Sequence, residues 1–221
     1  MSMTVDQAIT KAYSEAKGKA TPPASGTAKY NQLVVLADSL QKVWAAEPGV
    51  QWDSLYSRVS HGTIGAVSSI ALDSTVNYIV KDESNPIYAT SGSDRFDFKL
   101  VRPNQLYLNR YEGAVAQAGR NLIFQDAFDS DSSVYGWTLY VPSILNVGTL
   151  DDGADTIQVD DPMWLVFMMA AEFVRNDLVR QNQYPALVAY AQQSMLKMKE
   201  ANEGAYEGVI TNWEPMGVTW T

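Results

Sequence analysis

His61 is the only histidine in the chain, and cysteine is absent. A Ser-His-Asp triad would have to run through His61, and a zinc cluster of the usual kind lacks a second Cys or His ligand. His61 sits in "RVSHGTIG", ahead of a glycine, where a turn or strand edge is the preferred reading. There is no G-x-S-x-G elbow and no Walker loop, and "GTIGAV" lacks the strand–helix context of a dinucleotide fingerprint. Two acidic clusters offer carboxylates: Asp126, Asp129 and Asp131 in "DAFDSDSS", and Asp151, Asp152 and Asp155 in "DDGAD". Neither has the spacing of a calcium loop, so both read as solvated turns. Carboxylates for glycoside hydrolysis pair only in space, and nothing in the order of residues singles out a pair. Glu172, inside an apolar helix, is either a buried acid with a raised pKa, a partner for Arg175 or Arg180, or a contact with a neighbouring subunit. The ion-pair or contact reading is preferred. No catalytic, cofactor-binding or metal-ligating residue is therefore expected, and no cofactor.

Composition sets the frame for these residues. The 221-residue chain has 46% hydrophobic and 19% charged residues, which is globular rather than disordered. Its net charge of −9 disfavours gripping nucleic acid, because counterion release needs clustered Lys and Arg. The lack of cysteine fits a reducing cytoplasm. The N-terminal "MSMTVDQAITKAYSEAKG" lacks the basic start and apolar core of a signal peptide.

The first helix is well punctuated, with Thr4 and Gln7 at capping-box spacing and Gly18 at the C-cap. After the "KATPPASG" linker, Tyr30, Leu33, Ala37, Leu40 and Trp44 form one stripe, and Pro48-Gly49 ends that second helix. From about Trp52 the pattern changes to "SSIALD", "VNYIVKD", "IYATSG", "RFDFKLV", "NLIFQDAF" and "WTLYVP", short runs rich in β-branched and aromatic residues. A short helix is expected at Pro103.

Helical pattern returns in "DDPMWLVFMMAAEFVRNDLVRQNQYP". Its nine apolar residues, Met163 to Ala171, fall short of the about 20 that a membrane helix needs. Trp164, Phe167, Ala171, Val174 and Leu178 make a stripe for the protein's own bundle. Val166, Met169 and Phe173 then point towards the β-rich module or another subunit, with Arg175 and Arg180 at the rim. Tyr184-Pro185 breaks the helix, a fourth carries Leu187, Ala191, Ser194, Met198 and Ala201, and Gly204 caps it.

The expected fold is α+β: a four-helix bundle of residues 1–52 and 158–204, an inserted β-rich module at 53–157, and a C-terminal arm at 205–221. The arm has no helical period yet carries Tyr206, Trp213 and Trp220, unusual for a free tail. It either folds back on its own domain or anchors on another chain.

The order of these parts resembles the head-to-tail adaptor (connector) proteins of tailed bacteriophages, the group that includes tail tubular proteins. The resemblance covers nearly the whole chain. It rests on the two N-terminal helices with "LVVLADSLQKVWAAEPGVQW", on "GRNLIF" and "GWTLYVPS" in the β-rich insertion, and on "DDPMWLVFMMAAEFVRNDLVRQNQYPALVAYAQQSMLKMKEAN". It implies a virion structural protein at the head–tail junction, assembled in the host cytoplasm. It also implies a ring, commonly of twelve copies, bound beneath the portal protein, with a downstream tail component below. DNA would pass through without specific binding, no membrane is involved, and the arm would reach the portal or an adjacent protomer. Two competing readings are a carboxylate-dependent hydrolase and a monomeric β-type binding module.

Overall fold

The computed structural model describes residues 2–18, 21–81, 85–106, 113–125 and 131–206, with side chains to Asn202. The chain divides into two compact units, Met1–Ser54 with Val147–Thr221, and Leu55–Asn146.

Among the described residues the first unit holds four α-helices: α1 (Val5–Lys17), α2 (Ala28–Ala45), α3 (Pro162–Arg175) and α4 (Tyr184–Tyr206). α1 starts where the sequence says it must. The Thr4 hydroxyl accepts the Gln7 N–H, and the Gln7 side chain accepts the Thr4 N–H. Tyr30, Leu33, Ala37, Leu40 and Trp44 of α2 are all buried. α3 is the hub and packs chiefly on α4 and α1, while α1 and α2 barely touch. An apolar circumference suits such a position, and Leu165, Val166, Met169 and Ala170 are completely buried.

α2 touches α3 and is pinned by hydrogen bonds to an extended segment. The side chain of Gln41, fully buried, donates to the Gly148 carbonyl and accepts the Gln158 N–H, while Asp38 accepts the Leu150 N–H. Satisfying both ends of a buried amide makes it a pin rather than a penalty. The same segment clasps the start of α1, with Val5 N–H on the Asp155 carbonyl and Ile157 N–H on that of Met3. Tyr30 donates to the Asp6 carboxylate, and Gly153 lies so close that a Cβ would strike both groups. Burial, then that hydrogen bond, pushes the Tyr30 phenol up to about 12.

The second unit is a curled, mixed, eight-stranded sheet, a half-barrel. Its strands are β1 (Tyr56–Thr63), β2 (Ser69–Ala71), β3 (Val76–Ile79), β4 (Ile87–Ser91), β5 (Asp94–Val101), β6 (Ala114–Ala118), β7 (Asn121–Phe124) and β8 (Thr138–Leu145). The spatial order is β1-β8-β4-β5-β6-β7-β2, with β3 also paired to β8. Every pairing is antiparallel except β5 with β6. Phe98, Leu139, Val141, Ile87, Val115 and Leu122 belong to one buried apolar cluster of this unit. Asp97 and Lys99 of β5 face solvent, as their alternation with Phe96 and Phe98 requires.

This architecture corrects the expected fold class. The protein is α+β, but the eight-stranded curled sheet dominates it, and the helices do not form a four-helix bundle with an inserted β module. The physical reasons are visible in the helices. α3 has 14 residues, about 21 Å long. Up to Asn202, α4 buries only Leu187, Ala191, Ser194 and Met198 in a single thin line. α2 takes the hydrogen-bond partners of Asp38 and Gln41 from the 147–160 segment. Local expectations change as well. Tyr184 begins α4 rather than breaking a helix, and Gly204 lies inside α4 rather than capping it. Tyr206 is the last residue of that helix, so the first part of the expected arm is helical. The short helix expected in 102–114 begins as a 3-10 turn, Pro103–Gln105, and residues 107–112 of that stretch lie outside the described residues.

His61 lies on β1, where the pairing with β8 shifts register between Ser60 and Thr63 and Gly62 adopts φ +76°. Its Nε2 is enclosed and has no hydrogen-bond partner among the described residues. Burial holds the imidazole below its usual pKa, with Asp73 and the Ala71 backbone pulling weakly the other way. A depressed pKa means that the native state binds the proton less readily than the unfolded chain does. Stability is therefore complete above about pH 6.5 and falls as pH drops through that value towards the folded pKa. Melting temperatures from pH 7.5 to 5 should fall more steeply for the native sequence than for His61→Gln. Parallel curves would contradict this assignment.

Candidate assembly surface

α3 ends at Arg175, and the chain turns sharply through Asn176–Arg180. Asp177 organises the turn. Its side chain accepts the Val179 N–H at 3.0 Å, and its carbonyl accepts those of Arg180 and Gln181. Arg180 returns an ion pair to the Asp177 carboxylate at 3.4 Å. The Val179 N–H, helped by Arg180, holds the Asp177 carboxyl below the usual carboxylate range. The framework displays two adjacent apolar side chains, Leu178 at 94% exposure and Val179 at 83%. A single exposed leucine is ordinary, but an adjacent Leu–Val pair on a turn braced by the Asp177 hydrogen bonds forms a preorganised apolar knob.

The helical unit has a second apolar surface. Val35 and Val43, with Ser39 between them, stand outward along one side of α2 at 63% and 57% exposure. On α4, Tyr190 is half-exposed and leans on Phe167, with ring centroids 5.5 Å apart.

The residues expected to form the subunit contact are distributed differently. Val166 and Met169 are enclosed in the core of the helical unit, which removes them from its surface. Phe173 is half-buried against Tyr13, with centroids 4.8 Å apart. Arg175 lies at the surface and pairs with Glu172 at 3.5 Å, while Arg180 braces the turn. Leu178, assigned by periodicity to the buried stripe, is the most exposed of the large hydrophobic residues in the described chain. The missed signal was Asn176-Asp177, a helix-stop and turn pair lying across the apparent 3.6-residue rhythm. Of the expected arm, Trp213 and Trp220 lie outside the described residues.

The groups that could do chemistry are mostly engaged in structure. Asp155 accepts the N–H groups of both Asp151 and Asp152, and Asp152 accepts that of Ala154. Those bonds hold the Asp155 carboxyl below its ordinary range. In the other acidic cluster, Asp131 is exposed, while Asp126 and Asp129 lie outside the described residues. The α4 side of the unit has an open depression of about 360 Å³ lined by Asp53, Ser54, Asp160, Lys197, Met198 and Asn202. Asn202 there is occupied in holding the Asp53 N–H and the Gln51 carbonyl. Among the described residues no three His, Asp or Glu side chains converge on a metal site, and no helix is long and apolar enough to cross a membrane. In comparisons with known proteins, no family model matches the sequence, and no curated protein matches it.

Proposed function

We propose that this chain is a virion structural protein of a tailed bacteriophage, a head-to-tail adaptor that assembles as a ring beneath the portal and surrounds the DNA channel. The observation that carries this reading is the Leu178–Val179 knob. An apolar pair on a braced turn gains its stabilisation only when another surface covers it, which is the design of an assembly contact. The net charge of −9 supports the channel role, because an acidic wall repels the duplex and lets it slide. The ring is read as twelve-fold, with a further tail protein docked below and the segment after α4 reaching an adjacent protomer or the portal. The test is the mass of the purified protein, alone and mixed with portal protein. A ring-sized complex with portal is expected, and a protein that stays monomeric and unbound beside it would overturn the reading.

A further inference from the structure

Among the described residues, β1 is the last strand at one side of the sheet and pairs only with β8. The direction of its free hydrogen-bonding groups follows from Pro142. Arg58 sits opposite Pro142, which has no N–H, and the Pro142 carbonyl accepts the Val80 N–H at 2.9 Å on the other side of β8. Arg58 and Pro142 therefore form a non-hydrogen-bonded pair, and the ladder runs through Ser57 with Ser143 and Val59 with Val141. Tyr56, Arg58 and Ser60 aim their N–H and C=O groups outward. Among the described residues no backbone group outside the β1–β8 ladder bonds the backbone of Arg58 or Ser60, and both residues are exposed. The common protections of an edge are thin here. β1 has no lysine and no proline, and its bulge lies beyond Ser60, leaving 56–60 open.

We infer that this edge is the seat for a strand from a second copy of the chain, supplied by residues 208–213, "GVITNW". The inference rests on the assembly reading above and names where the segment after α4 docks. Val209, Ile210, Thr211 and Trp213 are strand formers, and the segment begins with a glycine two positions after Tyr206, where α4 ends. The only charges in 207–221 are Glu207 and Glu214, and the exposed charge on the open edge is Arg58. Main-chain hydrogen bonds would supply affinity, and the alternate side chains would supply register.

The absence of native cysteine makes a direct test clean. Full-length Ser60→Cys is mixed with full-length chains that each carry one cysteine at a position from 208 to 213, assembled on the portal and oxidised. The expected result is disulfide between chains with a period of two, one parity exceeding its neighbours by about fivefold, because alternate residues of a paired strand share a face. Ser69→Cys, on the opposite edge, is the control and should give no such alternation. Yields no higher than the control, with assembly intact by mass, would overturn the strand seat while leaving the ring reading standing. A bridge that forms only when both cysteines are in one chain would overturn the second-copy assignment. Failure of every mixture to assemble would instead strike the ring reading itself.

Discussion

Replacing Leu178 and Val179 together by serine should abolish assembly while leaving the fold intact. Each side chain is nearly fully exposed in the single chain, so its removal takes almost nothing from the core. Surface changes of this kind alter folding stability by about 0.5 kcal/mol or less. In a protein–protein contact the same two side chains would each contribute roughly 1.5–3 kcal/mol through burial. Their joint loss weakens every contact by roughly 10²- to 10⁴-fold. Sedimentation or mass measurement of the double variant, beside its thermal melt, separates the two effects. An unaltered ring would remove the knob from the interface. A collapse of the melting temperature would show that the turn serves the fold instead.

Trp44→Ala has the opposite signature: a large loss of stability with no direct effect on any exposed surface. Trp44 is fully buried at the end of α2, stacked on Trp52 with ring centroids 4.8 Å apart, and its carbonyl accepts the Trp52 Nε1–H at 2.9 Å. Emptying that site should cost about 3–5 kcal/mol, a large part of the roughly 5–15 kcal/mol that a domain commands. Trp44→Phe should be much milder, within about 1.5 kcal/mol, because it keeps an aromatic body. It also deletes an Nε1–H that is buried without a partner among the described residues. Urea unfolding midpoints of the two variants provide the comparison. A Trp44→Ala chain less than 1 kcal/mol below the native one would contradict this packing account.

What could be read in the sequence followed how locally each element is determined. The Thr4–Gln7 capping box is a contact across three residues, and it is present as read. The stripe on α2 and the alternation of β5 are likewise carried by neighbouring residues. β1 escaped because "YSRVSHGT" is a half-exposed edge strand whose polar residues carry no clean alternation. β6, "AVAQA", escaped because alanine is a poor strand former and both of its faces are covered. The end of α3 was misplaced because Leu178 and Val179 extend an apolar rhythm past the point where Asn176-Asp177 breaks the backbone. That error exchanged the inside and the outside of the candidate surface. The apolar circumference of α3 did announce burial on several sides, but α1, α2 and α4 of the same chain supply it. The role of Gln41 lay beyond any local pattern, because its partners Gly148 and Gln158 are more than 100 residues away.

The knob on the α3–α4 turn is where the proposal of an assembling adaptor meets a measurable quantity. The direct test is the mass of the native protein, alone and with portal protein, at the same concentrations as the Leu178→Ser/Val179→Ser variant. A ring-sized complex on the portal is expected for the native chain and none for the variant. Native protein that remains a free monomer in the presence of portal would contradict it.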